Sequence, residues 1–171
     1  MERRSVETII RALTDARVRY LIVGGLAVVA HGLVRFTADI DMVLDPHPDM
    51  LRRAIAALEG LGYRPRAPVE FGQFADHLAR EAWKKERGLT VFSTFSREHP
   101  ATEVDLFLEP PFDFDQAYTR AERFDVAPGL SGVFVALSDL LDMKRAAGRP
   151  VDLQDAEGLE ALRAERKHDD E

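Results

Sequence analysis

The chain has 171 residues, 46% hydrophobic and 31% charged, the proportions of a soluble globular protein long enough for one domain with a real core. With 23 Lys and Arg against 30 Asp and Glu, the formal net charge of −7 disfavours a global nucleic-acid clamp and leaves room for a local basic patch. The lack of Cys excludes disulfides and thiolate metal sites and fits a cytoplasmic location, and no signal peptide or bilayer-spanning window is expected.

Val6, Ile9, Ile10 and Leu13 recur at helical spacing, with Ser5 as the expected cap. Val18 to Val23 reads as a strand ending at Gly24 and Gly25, and Leu26 to Leu33 as a short helix stopped near Gly32. Ala38 to Leu44 alternates, with Ile40, Met42 and Leu44 on one face and Asp39, Asp41 and Val43 on the other. Pro46 and Pro48 close that strand, and Asp45 beside them reads as a turn residue. An amphipathic helix is expected from Met50 to Leu61, then strand and loop to Gly72. A further helix, anchored by Trp83 and carrying the mixed charges of REAWKKERG, should end at Gly88. A strand follows over Leu89 to Phe95. Glu103 to Leu108 alternates again, with Asp105 on the polar side. Beyond Asp115 the pattern gives a short helix, weak strands near Phe124 and Val133, and a helix from Ser138 to Ala147. A last helix follows Pro150. The order implies an α+β fold, a mixed β-sheet flanked by helices with a helical C-terminal portion. One domain is expected, with a core over about 1–112, the C-terminal portion over about 113–165 and a frayed tail at 166–171.

Asp39 and Asp41 lie on the same face of one strand, ~7 Å apart along it. Asp105 has the same orientation on a later strand, so neighbouring strands would gather three carboxylates at one end of a sheet. Like charges that close repel unless a cation offsets them, and hard oxygen ligands without Cys suit Mg²⁺ or Mn²⁺. Gly24 and Gly25 stand where a strand turns into a helix, so the turn either is merely tight or lets backbone N–H groups approach an anion. Glycines and acids together point to metal-assisted phosphoryl transfer.

The segments VGGLAVVAHG, RFTADID and EVDLF resemble the nucleotidyltransferase superfamily of the polymerase-β type, whose signature is a Gly-Gly or Gly-Ser turn, a DxD strand and a third acid on a later strand. The tail LSDLLDMKRAAGRPVDLQD is similar to the branch of AbiEii-type toxins and minimal nucleotidyltransferases. The resemblance covers Val18 to Asp155, with only generic segments between about Pro46 and Thr102. It implies that Gly24 and Gly25 hold nucleotide phosphates, that Asp39 and Asp41 ligate two divalent ions, and that Asp105 completes the ion activating the acceptor. Lys144 would neutralise triphosphate charge or tie its helix to the acid cluster, and Asp152 and Asp155 match the closing acids. Arg35 and Thr37 match an R-x-T-x-D-x-D pattern as supporting residues, and Arg149 is either a phosphate contact or a helix-end charge. Leu26 departs from the pattern, standing where many members carry a Ser or Thr hydroxyl for the phosphate.

The expected activity is therefore transfer of a nucleoside monophosphate from an NTP such as ATP to a hydroxyl, by a two-metal mechanism with ions ~3.5–4 Å apart. Acceptors to consider are a tRNA end, a protein side chain or an aminoglycoside-type small molecule. Kinship with AbiEii suggests a toxin–antitoxin component with a cognate protein partner; no DNA-binding module and no membrane contact are expected. The competing reading is a catalytically silent module of the same fold, favoured by Leu26 and opposed by the acid trio. His31 reads as a packed histidine rather than a base.

Overall fold

The computed structural model describes residues 1–169, with side chains through Arg166. Helix α1 (Arg3–Asp15) leads into β1 (Tyr20–Val23), which turns directly into α2 (Gly24–Ala30). Then come β2 (Asp39–Leu44), α3 (Pro48–Gly60) and the short β3 (Arg64–Pro65). A 3₁₀ turn (Phe71–Ala75) and α4 (His77–Arg87) precede the antiparallel pair β4 (Val91–Phe95) and β5 (Glu103–Phe107). The chain closes with α5 (Phe114–Arg120), the hairpin β6 (Glu122–Ala127) and β7 (Leu130–Phe134), α6 (Leu137–Ala147) and α7 (Pro150–Asp169).

All of these strands join one mixed sheet in the order β3-β4-β5-β2-β1-β7-β6. At its centre β2 runs antiparallel to β1 and parallel to β5, while β7 lies parallel to β1. Strands β6 and β7 lie beyond residue 112, so the C-terminal portion extends the same sheet and adds more than helices. Helix α7 continues into the stretch expected as a tail, and residues 170 and 171 lie outside the described residues. No helix among the described residues is long and apolar enough to cross a membrane.

The alternation of β2 divides the sheet's two faces. Ile22 pairs with Met42, and an added Cβ on Gly132 would touch both Ile22 and Ile10, so this face packs under α1. Val23 pairs with Asp41 on the opposite face, where α2 and α6 lie. Ile9, Ile10, Leu13, Ile22, Ile40 and Met42 are fully buried, and their loss of water contact drives the assembly of the layers. Further out, Trp83 stacks on Phe92 at 5.1 Å and fastens α4 to the sheet.

Two local expectations change. Ser5 lies inside α1 rather than capping it; the N-cap is Glu2, and the buried Ser5 hydroxyl meets His99 Nδ1 at 3.0 Å. Helix α2 begins at Gly24, not Leu26, because a φ of +62° at Gly24 folds the chain straight out of β1. Asp45 is buried, accepts from Arg19 at 2.9 Å and caps the turn through the His47 N–H.

Candidate active site

Parallel pairing of β2 with β5 sets Asp41 directly opposite Asp105, and Asp39 opposite Glu103. Register partners share a face, so Asp39, Asp41 and Asp105 stand on the α2 side of the sheet. Their fields overlap. Burial pushes the Asp41 carboxyl up to about 6, with the charges of Asp105 and then Asp39 adding to the rise. The Gly25 N–H and the more distant Lys144 charge oppose that shift. Asp39 is raised as well, first by burial, then by Asp105 and Glu103. Asp105 Oδ1 is buried without a hydrogen-bond partner among the described residues. A buried carboxylate oxygen left bare is costly unless something outside the chain satisfies it.

The double glycine has two distinct jobs. A Cβ added to Gly24 would fall inside the Asp41 carboxylate, 2.6 Å from its Cγ, so the missing side chain makes room for that acid. A Cβ on Gly25 would lie 2.6 Å from Thr37 Oγ1 and 3.6 Å from the Arg35 guanidinium carbon. The turn is thus tight for a reason, and its second glycine faces the segment that leads into β2.

Cations collect on the other side of the opening. Lys144, almost fully buried, binds Asp152 at 2.8 Å and Asp155 at 2.9 Å. Arg149 adds a second contact to Asp152, and Arg35 reaches across to Asp155. Burial alone would raise the Asp152 carboxyl, but hydrogen bonds from Arg149 and Lys144 outweigh it and hold the group below its ordinary range. Lys144 therefore meets a buried anion rather than water, and that anion is the acid pair of α7.

All eleven residues singled out from the sequence come together here except Asp155, which borders the cleft through Arg35 and Lys144 rather than lining it. The cleft encloses about 900 Å³, room for a nucleotide and a second molecule. Sequence reasoning missed its apolar wall of Phe36, Phe107, Phe112 and Met143, and the acids Asp139 and Asp142 on α6. Phe36 was findable, since it alternates with Arg35 and Thr37 before the DxD strand and stays 83% exposed. Phe112 and Asp142 carry no local signal. His31 caps the C-terminus of α2, bonding Val135 O at 2.9 Å away from the acids.

The donor set fits a divalent cation: carboxylate oxygens from two adjacent strands, one of them bare and buried at Asp105, beside an Asp41 carboxyl raised by burial and by the neighbouring acid charges. Among the described residues no three acid or imidazole groups are already drawn together as a ready cation cage.

No family model matches the chain, and no curated protein matches it. Solved structures do. The crystal structure of ANT(2'')-Ia in complex with adenylyl-2''-tobramycin is similar with a TM-score of 0.57 and 16% identity, over 96% of this chain and 91% of that one. The solution structure of the antibiotic-resistance factor ANT(2'')-Ia gives 0.56 and 15%, over 97% and 91%. At such identities the likeness speaks for backbone architecture, and together with the sheet order and the placement of β2 beside β5 it establishes the fold. The chain has the α+β nucleotidyltransferase fold.

Proposed function

We propose that the chain transfers a nucleoside monophosphate from an NTP to a hydroxyl acceptor, releasing pyrophosphate. The observation that carries this reading is the Asp41–Asp105 pair, facing across parallel strands at the floor of the cleft with one buried carboxylate oxygen unsatisfied. Asp39, Asp41 and Asp105 would hold Mg²⁺ or Mn²⁺, which when bound supplies charge neutralisation for the polyphosphate and acidity for the hydroxyl. Gly24 keeps Asp41 in place by leaving its carboxylate room. The acceptor oxygen would bond to the α-phosphorus as the bond to the oxygen bridging to the β-phosphate breaks, and Asp105 would take the hydroxyl proton. Arg149, at the cleft edge with most of its side chain exposed, adds positive charge for the departing pyrophosphate.

A small amine-bearing alcohol is the acceptor that the cleft favours over RNA. Asp139 and Asp142 line it on α6, paired with Arg120 and Arg145, and the Asp142 side chain, 77% exposed, leaves a carboxylate open to an ammonium group. The structural neighbour holds adenylyl-2''-tobramycin, an acceptor of that chemistry after it has received its nucleotide. A toxin–antitoxin role of AbiEii type, with a protein partner, rests on the sequence resemblance of the α6–α7 segment alone.

The test uses the four α-³²P-labelled NTPs with Mg²⁺ and three acceptor panels: total tRNA, a cell-extract protein fraction and a set of aminoglycosides. Label moving to a small molecule, and lost in Asp41→Asn, supports the reading. Label in RNA or protein moves the acceptor, and nucleotide binding without transfer to any panel favours the silent module.

A further inference from the structure

We infer that the Thr37 hydroxyl is the side-chain donor to the nucleotide's polyphosphate, doing at the glycine turn what a Ser or Thr in place of Leu26 would do. The inference rests on the nucleotidyl-transfer reading of the cleft and assigns a binding residue within it.

Three observations converge. Leu26 brings no hydroxyl and packs its side chain against the hydrophobic core. Across the turn, Thr37 Oγ1 sits 2.6 Å from the place where a Gly25 Cβ would stand, so only a glycine there leaves room for the hydroxyl, and Thr37 lines the cleft. Within the chain, its hydrogen bond goes to Asp39 O at 3.3 Å, beyond the usual 2.5–3.0 Å range for a hydroxyl donor. A hydroxyl so weakly engaged has a donor to give.

Arg35 makes the position electropositive. Its guanidinium carbon would be 3.6 Å from the same Gly25 Cβ, and it is held by Asp155 of α7 and by Phe36 O at 3.1 Å. Arg35 and Thr37, like Phe36 between them, line the cleft on the approach to β2. A phosphate oxygen beside Gly25 would meet a neutral donor and a fixed cation together, the pairing that favours polyphosphate over a plain carboxylate.

The experiment is calorimetric titration with two probes in Mg²⁺, inorganic tripolyphosphate and adenosine 5′-(α,β-methylene)triphosphate, and with Mn²⁺ alone. Thr37→Val should weaken both polyphosphate probes about tenfold, the loss expected for one hydrogen bond to a charged group. Thr37→Ser should stay within about twofold of the native chain, and Mn²⁺ affinity should not change in either variant. Equal polyphosphate binding by Thr37→Val overturns the inference, as does a loss that Thr37→Ser fails to restore or one accompanied by loss of Mn²⁺, since those point to backbone support of β2. Should the Val variant not fold, Thr37→Ala gives the same comparison. A native chain that binds neither probe would sink the nucleotidyl-transfer reading itself, and this inference with it.

Discussion

Two groups of carboxylates border one cleft and are treated in opposite ways. Asp152 and Asp155 on α7 are buried among Lys144, Arg149 and Arg35, so each has a cationic partner. Asp41 and Asp105 on β2 and β5 face each other with no side-chain cation in contact among the described residues, which also give one buried oxygen of Asp105 no partner. Burial with compensation lowers the Asp152 carboxyl below its ordinary range; burial without it lifts Asp41 to about 6. The first arrangement closes on itself and fastens α7 to α6. The second is unfinished by the chain alone, and such unfinished groups are where a ligand has most to gain.

That contrast breaks most visibly in activity. Asp105→Asn should lower transfer by about 10²- to 10⁴-fold, with an unchanged far-UV spectrum, because it removes the proton acceptor and an ion ligand together; a rate within tenfold of native would place the chemistry elsewhere. Next comes Lys144→Met, which strips the shared cation from Asp152 and Asp155 and should destabilise by about 3–5 kcal/mol in urea unfolding. The double change Lys144→Met with Asp155→Leu should recover part of that loss.

The two acid groups should also respond to pH with opposite signs. Asp41 binds its proton more tightly folded than unfolded, so metal-free stability falls as pH rises from 3.8 to about 6, in total by about 3 kcal/mol. Asp41→Asn should remove that slope, and Mg²⁺ should flatten it. The Asp152 contribution is present above its unfolded pKa and disappears as pH drops through the lower folded value, with or without Mg²⁺. Thermal melts over pH 3–8, with and without the ion, read both. The smallest effect is Gly24→Ala, about 1–3 kcal/mol from a left-handed backbone and the collision with Asp41, with activity falling more than stability alone explains.

Much of the acid site was legible because strand alternation is local. Period two put Asp39 and Asp41 on one face and Asp105 on its own polar face, and the apolar faces opposite left little choice of side. Pairing β2 with β5 needed only that the two strands be neighbours. The insertion of β7 beside β1 was not legible, since a parallel contact across more than a hundred residues leaves no local trace. Which anion Lys144 meets was hidden for a similar reason: the sequence left triphosphate and acid cluster as alternatives, and the acids that bind the amine, Asp152 and Asp155, lie on the next helix. Gly24 was read as a phosphate contact, and its tighter obligation to the Asp41 side chain appears only once β1 and β2 are paired.

The most direct measurement is anomalous scattering from crystals soaked with Mn²⁺ and the α,β-methylene ATP analogue. A manganese peak bounded by Asp41 and Asp105, with the triphosphate beside Gly25 and Thr37, is the result expected. Ordered nucleotide with no manganese at those carboxylates, or manganese bound only at Asp152 and Asp155, would contradict it.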